Sequence, residues 1–169
     1  MIVIREAKTE DFQHIWPFFR EIVSAGTTYS IDRDISYTDA LSMWMRRSAK
    51  TFVAVDGDGE DGVIVGTYKL AKNREGPGDH IANGGYMVSP KAQGRGIATM
   101  MCEHSQEQAQ ALGFKAMQYN AVVESNKGAV SLWQKMGFTI VGTIPRAFNH
   151  AELGYVGVHV MYKWLDGAT

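Results

Sequence analysis

Residues 80–99, HIANGGYMVSPKAQGRGIAT, place a strand, a glycine-rich turn and a helix start next to one another. The apolar residues in the first half predict a strand, and the Gly-Arg-Gly step predicts a turn that leads directly into a helix. Such a turn gathers unpaired backbone N–H groups at one point, with the positive end of the helix dipole behind them. We therefore predict a socket for a phosphate or pyrophosphate over residues 94–99, where Arg95 adds positive charge.

A flexible turn is the alternative interpretation, and an isolated Gly-x-Gly would favour it. Two common nucleotide-binding motifs are absent from this stretch. It has neither the Gly-x4-Gly-Lys-Ser/Thr motif nor the six-residue glycine spacing of a dinucleotide-binding fingerprint. An anion bound here would therefore occupy neither a P-loop nor a dinucleotide-binding fold.

The strand before the turn is interrupted by Asn83-Gly84-Gly85, although Asn-Gly is a strong signal for a hairpin turn. A turn at this point would leave two fragments too short to be useful strands. The sequence thus raises the question of why a strand is weakened in its middle.

Outside this stretch, strands and helices are predicted in a mixed order. Further strands are predicted over 2–7, 51–55, 63–71, 115–122, 138–144 and 156–165. Helices are predicted from Thr9 to Val23, with a kink at Pro17, and over 38–48, 94–112 and 126–136. A turn rich in Gly and Asp over 56–62 joins two of the strands. Because helices alternate with strands in the second half, after a run of adjacent strands, the pattern favours a mixed α/β sheet.

Length and composition limit the classes of function. The chain has 169 residues, 45% of them hydrophobic, and a formal net charge of −1, so we expect one globular domain over 1–169 with no nucleic-acid or membrane partner held by bulk electrostatics. No run reaches the length of a membrane span, and the first residues lack the features of a signal peptide. The single cysteine, Cys102, cannot form an internal disulfide, which favours a reducing cytoplasm. No cluster has metal-ligand spacing, so we expect no metal.

Two motifs in this chain resemble those of the GCN5-related N-acetyltransferases, the GNAT family. The first is Gln93, Gly96 and Ala98 after a strand ending in Val-Ser-Pro. The second is the Asn-x-x-Ala-x-x-Leu-aromatic-x-x-x-Gly-Phe pattern over 126–138. The resemblance implies the GNAT fold, a mixed and mostly antiparallel central sheet splayed between its fourth and fifth strands and flanked by helices. It also implies that acetyl-coenzyme A is the cosubstrate, that a small-molecule amine is the acceptor, and that a homodimer is compatible with the fold.

The family resemblance suggests an answer to the question raised by Asn83-Gly84-Gly85. The fourth strand of the family usually carries a bulge that splays it from the fifth, and Gly84 and Gly85 supply the backbone freedom that a bulge needs. The alternative is that these glycines let a neighbouring side chain pack closely. A backbone N–H near Tyr86 or Met87 is then expected to stabilise the oxyanion of the reaction. The residues expected to contact acetyl-coenzyme A are Met87, Val88, Gln93, Gly94, Arg95, Gly96, Ile97, Ala98, Thr99, Asn126 and Trp133.

Trp133 departs from the family pattern, which often has a tyrosine there to protonate the leaving thiolate. An indole N–H does not titrate usefully, so Trp133 cannot be that acid. A thiol has a pKa of about 8.5, so its thiolate is a tolerable leaving group even when no acid protonates it. The alternative for Trp133 is simple packing.

Within the family, the chain resembles yeast-type enzymes that acetylate the proline analogue azetidine-2-carboxylate, on the basis of HIANGG, MQYNAVVESNKGAVSLWQKMGF and GTIPR. That resemblance implies that Asn83 and Asn120, one on each splayed strand, are catalytic residues that bind the acceptor. An amide offers two donors and an acceptor, enough to hold a carboxylate or orient an amine. Thr28 and Tyr29 are expected to shape the same pocket. Glu124 is the candidate general base, and water ordered by the two asparagines is the alternative.

We therefore expect an N-acetyltransferase that acts on an amino acid or analogue. Polyamines, aminoglycosides and protein N-termini are alternative acceptors. A polycationic acceptor would want an acidic cleft, and the loops outside 56–61 show no cluster of carboxylates. A non-catalytic acyl-coenzyme A sensor is the alternative outside the enzyme class.

Overall fold

The computed structural model describes residues 1–57 and 62–165, and seven strands lie within them. These are β1 (Ile2–Glu6), β2 (Lys50–Asp56), β3 (Val63–Lys72), β4 (Ile81–Val88), β5 (Ala116–Val123), β6 (Thr139–His150) and β7 (Gly154–Trp164). They form one sheet in the order β1-β2-β3-β4-β5-β7-β6. Only the β4–β5 pair is parallel, and the other neighbours are antiparallel.

Helices cover both faces of the sheet. They are α1 (Phe12–Ala25), α2 (Tyr37–Leu41), α3 (Ile97–Ala111) and α4 (Lys127–Lys135). A short π-helical segment, Ser42–Arg46, extends α2 and buries Trp44. The prediction of a mixed, mostly antiparallel sheet flanked by helices is confirmed. The predicted turn over 56–62 has its central residues, 58–61, outside the described residues.

Each face of the sheet has its own hydrophobic core. On one face, α3 and α4 pack with Tyr68, Tyr86 and Tyr119 of the strands. On the other, α1 and Trp44 pack with residues such as Met87. Pro17 lies inside α1, which continues through it to a left-handed glycine at Gly26. In the described part of the chain, no helix is long and apolar enough to cross a membrane.

The sheet opens between β4 and β5. These strands pair only at Ile81 with Ala116 and at Ala82 with Met117, and from residue 83 onward no strand of the described residues pairs with β4 on that side. The predicted splay is therefore present, and it begins at Asn83.

The expected bulge in β4 is absent, so that prediction is wrong. The register between β3 and β4 runs unbroken from Ala82 to Val88. A register shift instead lies on β5, between Tyr119 and Val122, where β5 pairs with β7. The irregularity that accompanies the opening therefore falls on the strand that carries Asn120.

Close packing on both faces explains the two glycines of β4. A Cβ atom on Gly84 would lie 2.9 Å from the Tyr86 hydroxyl oxygen and 3.2 Å from the Tyr119 ring. A Cβ atom on Gly85 would lie 3.3 Å from the Trp44 ring, on the opposite face. Gly84 thus leaves room for a buried tyrosine pair, and Gly85 leaves room for an indole.

Candidate active site

The free side of β4 presents main-chain hydrogen-bonding groups to the opening. Ser89 N–H donates to Val65 O and Ile81 O accepts from Asn73 N–H, both at 2.8 Å, so the odd-numbered residues face β3. Successive residues of a strand alternate in the direction of their N–H and C=O groups. The N–H and C=O groups of residues 84, 86 and 88 therefore face the gap.

Tyr29 contacts these groups directly. Its hydroxyl accepts a hydrogen bond from Tyr86 N–H at 3.1 Å and donates one to Tyr86 O. Met87, in contrast, turns its N–H towards β3 and buries its side chain in the core. Of the two N–H groups expected to stabilise an oxyanion, the one on Tyr86 faces the gap.

The turn after β4 has the geometry of an anion socket. Gly94 and Gly96 have φ angles of 77° and 75°, in the left-handed region, and no atom of the described residues lies within 4 Å of a Cβ built on either. Within the residues that the structure describes, no side chain caps the start of α3, so its first-turn N–H groups have no side-chain acceptor there. This arrangement is typical of a site where main-chain N–H groups bind an anion.

Arg95 does not point into this socket. Its guanidinium donates to Asp56 Oδ2 at 2.7 Å, and both side chains are partly exposed. The hydrogen bond and charge of Arg95 hold the pKa of Asp56 below its usual value. The Asp56 carboxylate therefore offsets the charge of Arg95, and the main-chain N–H groups and the helix dipole are the other sources of positive charge at the turn.

Three neighbouring pockets form a groove along the free side of β4. The turn pocket is lined by Val88, Ala92, Gln93, Gly94, Gly96, Ile97, Ala98, Asn126, Gly128, Ala129 and Leu132. The gap pocket is lined by Glu21, Ile22, Ala25, Thr27, Thr28, Tyr29, Tyr86, Val88, Pro90, Gln93, Val122, Val123, Asn126 and Ala129. The amide pocket is lined by Tyr29, Ser30, Ile31, Met43, Trp44, Lys69, Ala71, Asn83, Gly84, Gly85, Tyr119, Asn120 and Ala121.

Shared residues show how the three pockets connect. Val88, Gln93 and Asn126 line both the turn and gap pockets, while Tyr29 lines both the gap and amide pockets. Asn126 is the N-cap of α4, where its side chain accepts from Ala129 N–H. Tyr29 therefore lies between the gap pocket and the amide pocket.

The amide pocket brings Asn83 and Asn120 together, as the sequence predicted. Asn120 donates to Asn73 Oδ1 at 2.7 Å and accepts from Gln118 Nε2 at 2.9 Å. Within the described residues, the Asn83 side chain has no hydrogen-bond partner, so its amide is available to a ligand. Asn73 and Gln118 were missed by sequence reasoning, because polar residues in a loop and a strand carry no distinguishing pattern.

Lys69 also lines this pocket, and the sequence analysis did not single it out. It lies on β3 opposite Gly85, and its ammonium donates to Met43 O at 3.1 Å and sits 5.1 Å from the centroid of the Trp44 ring. Burial, together with the nearby charge of Arg47, lowers the pKa of Lys69. No carboxylate lies within salt-bridge distance of this ammonium in the described part of the chain. Lys69 is thus a half-buried cation without an anionic partner.

Other predicted residues lie away from the groove. Glu124 accepts a hydrogen bond from Gly157 N–H at 2.6 Å, next to the point where β5 begins to pair with β7, and does not line the amide pocket. Trp133 is buried between Tyr86 and Tyr119, with ring centroids 4.9 and 5.0 Å away. Its position matches the packing alternative rather than a contact with the groove.

A buried hydroxyl cluster underlies the floor of the site. Tyr86 bonds Ser105 at 2.6 Å and Tyr119 at 2.9 Å through their hydroxyl oxygens. Burial raises the pKa of both tyrosines well above the usual value, so both stay neutral. In residues 1–57 and 62–165, no group of three or more His, Cys, Asp or Glu side chains could hold a metal ion.

The groove, the opened sheet and the uncapped helix define a class of acyl-transfer protein, and comparison with known families agrees. Residues 10–138 match the model of the acetyltransferase (GNAT) family. The chain belongs to this family and is an acetyltransferase that uses acetyl-coenzyme A as cosubstrate.

Individual relatives extend the comparison. The chain is 46% identical to a GCN5-related N-acetyltransferase from Kribbella flavida, with a TM-score of 0.91 over 97% of this chain and 98% of that one. It is 25% identical to N-acetyltransferase aca1 of Schizosaccharomyces pombe, over 85% of this chain and 75% of aca1. A phosphinothricin acetyltransferase from Sinorhizobium meliloti, solved with acetyl-coenzyme A, shares the fold at 21% identity, with a TM-score of 0.83 over 97% of this chain and 88% of that one.

Proposed function

We propose that this protein transfers the acetyl group of acetyl-coenzyme A to the amine of an amino acid or an amino-acid analogue. The observation that carries the proposal is the amide pocket, which is lined by Asn83 and Asn120, one from each of the two splayed strands. Its volume is about 260 Å³. Sites for drug-sized ligands usually measure roughly 300–1,000 Å³, so this pocket suits a smaller acceptor.

The groove has the groups needed to hold acetyl-coenzyme A. First-turn N–H groups of α3 would bind the pyrophosphate, and the gap-facing N–H and C=O groups of Val88, which lies between that turn and Tyr86, would pair with the pantetheine arm. Asn126 and Gln93 line both the turn pocket, where the pyrophosphate would bind, and the gap pocket, where the pantetheine arm would lie. When bound, the cosubstrate supplies an activated acetyl thioester.

The Tyr86 N–H is the group we assign to the thioester oxygen. It faces the gap beside Tyr29, where the gap pocket meets the amide pocket, and a main-chain donor there can stabilise the negative charge that develops on the thioester oxygen. Asn83 and Asn120 would orient the acceptor amine towards the same point. Because Glu124 is held by Gly157, we assign removal of the ammonium proton to water ordered by the two amides.

The lining of the amide pocket disfavours a polycationic acceptor. None of its described lining residues carries a carboxylate, and Lys69 supplies a positive charge. Polyamines and aminoglycosides would meet repulsion there, because like charges in a partly buried site are weakly screened. An acceptor with one amine and one anionic group fits this charge pattern better.

Thiol release from acetyl-coenzyme A, measured across a panel of amines, tests the proposal. The panel contains proteinogenic amino acids, azetidine-2-carboxylate, a polyamine, an aminoglycoside and a peptide with a free N-terminus. We expect kcat/KM to be highest for one or more amino acids or analogues. Preference for the polyamine, the aminoglycoside or the peptide would overturn it, and so would the absence of turnover with every amine.

A further inference from the structure

We propose that Lys69 binds the carboxylate of the acceptor, which makes a free carboxylate a requirement for good substrates. This inference rests on the proposed function and names the substrate class more narrowly. None of the expectations from the sequence included Lys69, because a lysine within VIVGTYKLAK has no pattern that separates it from a solvated one.

The position of Lys69 in the sheet supports this role. Residues two apart in a strand point to the same face, and residues paired across strands share that face. Lys69 and Ala71 on β3 pair with Gly85 and Asn83 on β4. The side chains of Lys69 and Asn83 therefore lie on one face of the sheet, where the Trp44 ring packs over Gly85, and all of these residues line the amide pocket.

The surroundings of the ammonium show what it lacks. Its described contacts are the Met43 carbonyl oxygen and the face of the Trp44 ring, which use one of three N–H donors and part of its charge. The other polar groups of the pocket are neutral. A partly buried ammonium that lacks an anion is costly, and a carboxylate supplied by a ligand would remove that cost.

The distribution of groups fixes the orientation of an amino acid in the pocket. Tyr86 N–H, which is assigned to the thioester oxygen, lies on the β5 side of β4, whereas Lys69 lies on the β3 side. The amine would thus face the gap and the carboxylate would face β3. Asn83, which lies on β4 between these points, can hydrogen-bond either group.

Lys69 would also select against amines that lack a carboxylate. A decarboxylated amine or an amino-acid amide would leave the ammonium unpaired, and a hydrogen bond between charged groups contributes substantially more than a neutral one. Discrimination between an acid and its amide is then expected to be roughly tenfold to a hundredfold in kcat/KM.

The test compares the best amino-acid acceptor with its carboxamide and with the corresponding amine that lacks the carboxylate. Parent protein should prefer the acid, and Lys69→Met should reduce kcat/KM for the acid roughly tenfold to a hundredfold while changing the other two by less than about threefold. Lys69→Arg should keep most of the preference, because the positive charge is retained. Lys72→Met is the matched control, since Lys72 is an exposed residue of the same strand that lies near Glu75 and Asp79.

Two further readouts separate this role from a structural one. Acetyl-coenzyme A affinity should be unchanged in Lys69→Met, and melting temperatures should rank the variants for stability. Lys69→Gln provides a second neutral variant if Lys69→Met does not fold. An equal loss on acid, carboxamide and amine in the folded neutral variant would overturn the inference and leave the proposed function standing. If parent protein acetylates no amino acid, both fail.

Discussion

The hydroxyl group of Tyr29 is bonded to both polar groups of the Tyr86 main chain, accepting from its N–H at 3.1 Å and donating to its carbonyl oxygen. Burial raises the pKa of Tyr29 well above the usual value, so the hydroxyl stays protonated across the range of ordinary assays. The Tyr29 hydroxyl is therefore bonded to the same Tyr86 N–H that we assign to the thioester oxygen, and acetyl-coenzyme A must displace this hydroxyl when it binds.

Tyr29→Phe should consequently bind acetyl-coenzyme A more tightly than the parent. Removal of one competing hydrogen bond is worth about 0.5–1.5 kcal/mol, or roughly twofold to tenfold in Kd. Calorimetry with acetyl-coenzyme A and with free coenzyme A measures the effect, and free coenzyme A should change less because it lacks the acetyl oxygen. Weaker binding of acetyl-coenzyme A in the variant would show that the hydroxyl helps to hold the thioester instead.

Gly84→Val should destabilise the protein. A Cβ atom there would come within 2.9 Å of the Tyr86 hydroxyl and 3.2 Å of the Tyr119 ring, both parts of a buried network. Overpacking of this kind costs about 1–3 kcal/mol. Gly142→Val is the matched control, because Gly142 is also a strand glycine and, its chain neighbours aside, no atom of the described residues lies within 4 Å of its Cβ position. Urea denaturation should give a clearly lower free energy of unfolding for Gly84→Val alone, and equal values would contradict the packing explanation.

The fold was largely predictable from sequence because hydrophobic periodicity and the placement of glycines at turns and helix ends are local signals. Both are strong over 80–138, where the turn at Gly94 and Gly96 and the helix predicted over 126–136 are present. The prediction failed where an element depends on its partner. β6 was expected to end at residue 144, but it continues to His150 through a register shift against β7 that accommodates Pro145 and Arg146.

The site was less predictable, because its residues come together only through pairing between strands. Lys69 and Asn83 come to share one face through the β3–β4 register, and Asn120 hydrogen-bonds to Asn73, which is 47 residues away in sequence. The reason for Gly84 and Gly85 was also misjudged, since the rings that need their space come from residues distant in sequence. Single-residue patterns do not encode such contacts.

Gly96→Val should weaken acetyl-coenzyme A binding by roughly tenfold or more. A valine at this left-handed position strains the turn, and the N–H groups that bind the pyrophosphate would lose their alignment. Gly113→Val is the matched control, since Gly113 has φ of 88° and lies just beyond the other end of α3, outside the groove. Both variants should lose about 1–2 kcal/mol of stability, and calorimetry should show an affinity loss only for Gly96→Val. Parental affinity in a folded Gly96→Val protein would show that the socket is elsewhere.

Trp133→Phe should retain turnover to within about tenfold, because the indole lies between Tyr86 and Tyr119 and titrates at no accessible pH. A smaller ring leaves space in this core, so we expect a loss of about 1–2 kcal/mol in stability. The pH dependence of kcat should be unchanged. A loss of turnover by several orders of magnitude, at parental acetyl-coenzyme A affinity and stability, would assign Trp133 a catalytic role.

The last prediction concerns the paired asparagines. Asn83→Ala and Asn120→Ala should each bind acetyl-coenzyme A with parental affinity, because the N–H groups assigned to the pyrophosphate lie on the following turn. Each should lower kcat/KM on the best acceptor roughly tenfold to a hundredfold, since a hydrogen bond to a charged group is worth about 1.5–3 kcal/mol. Asn73→Ala is the control for Asn120, because it removes the Asn120–Asn73 hydrogen bond without removing the Asn120 amide. If Asn73→Ala loses as much as Asn120→Ala, the role of Asn120 is to support the pocket. If both asparagine variants retain near-parental kcat/KM, the acceptor binds outside the amide pocket and a larger amine becomes the better candidate.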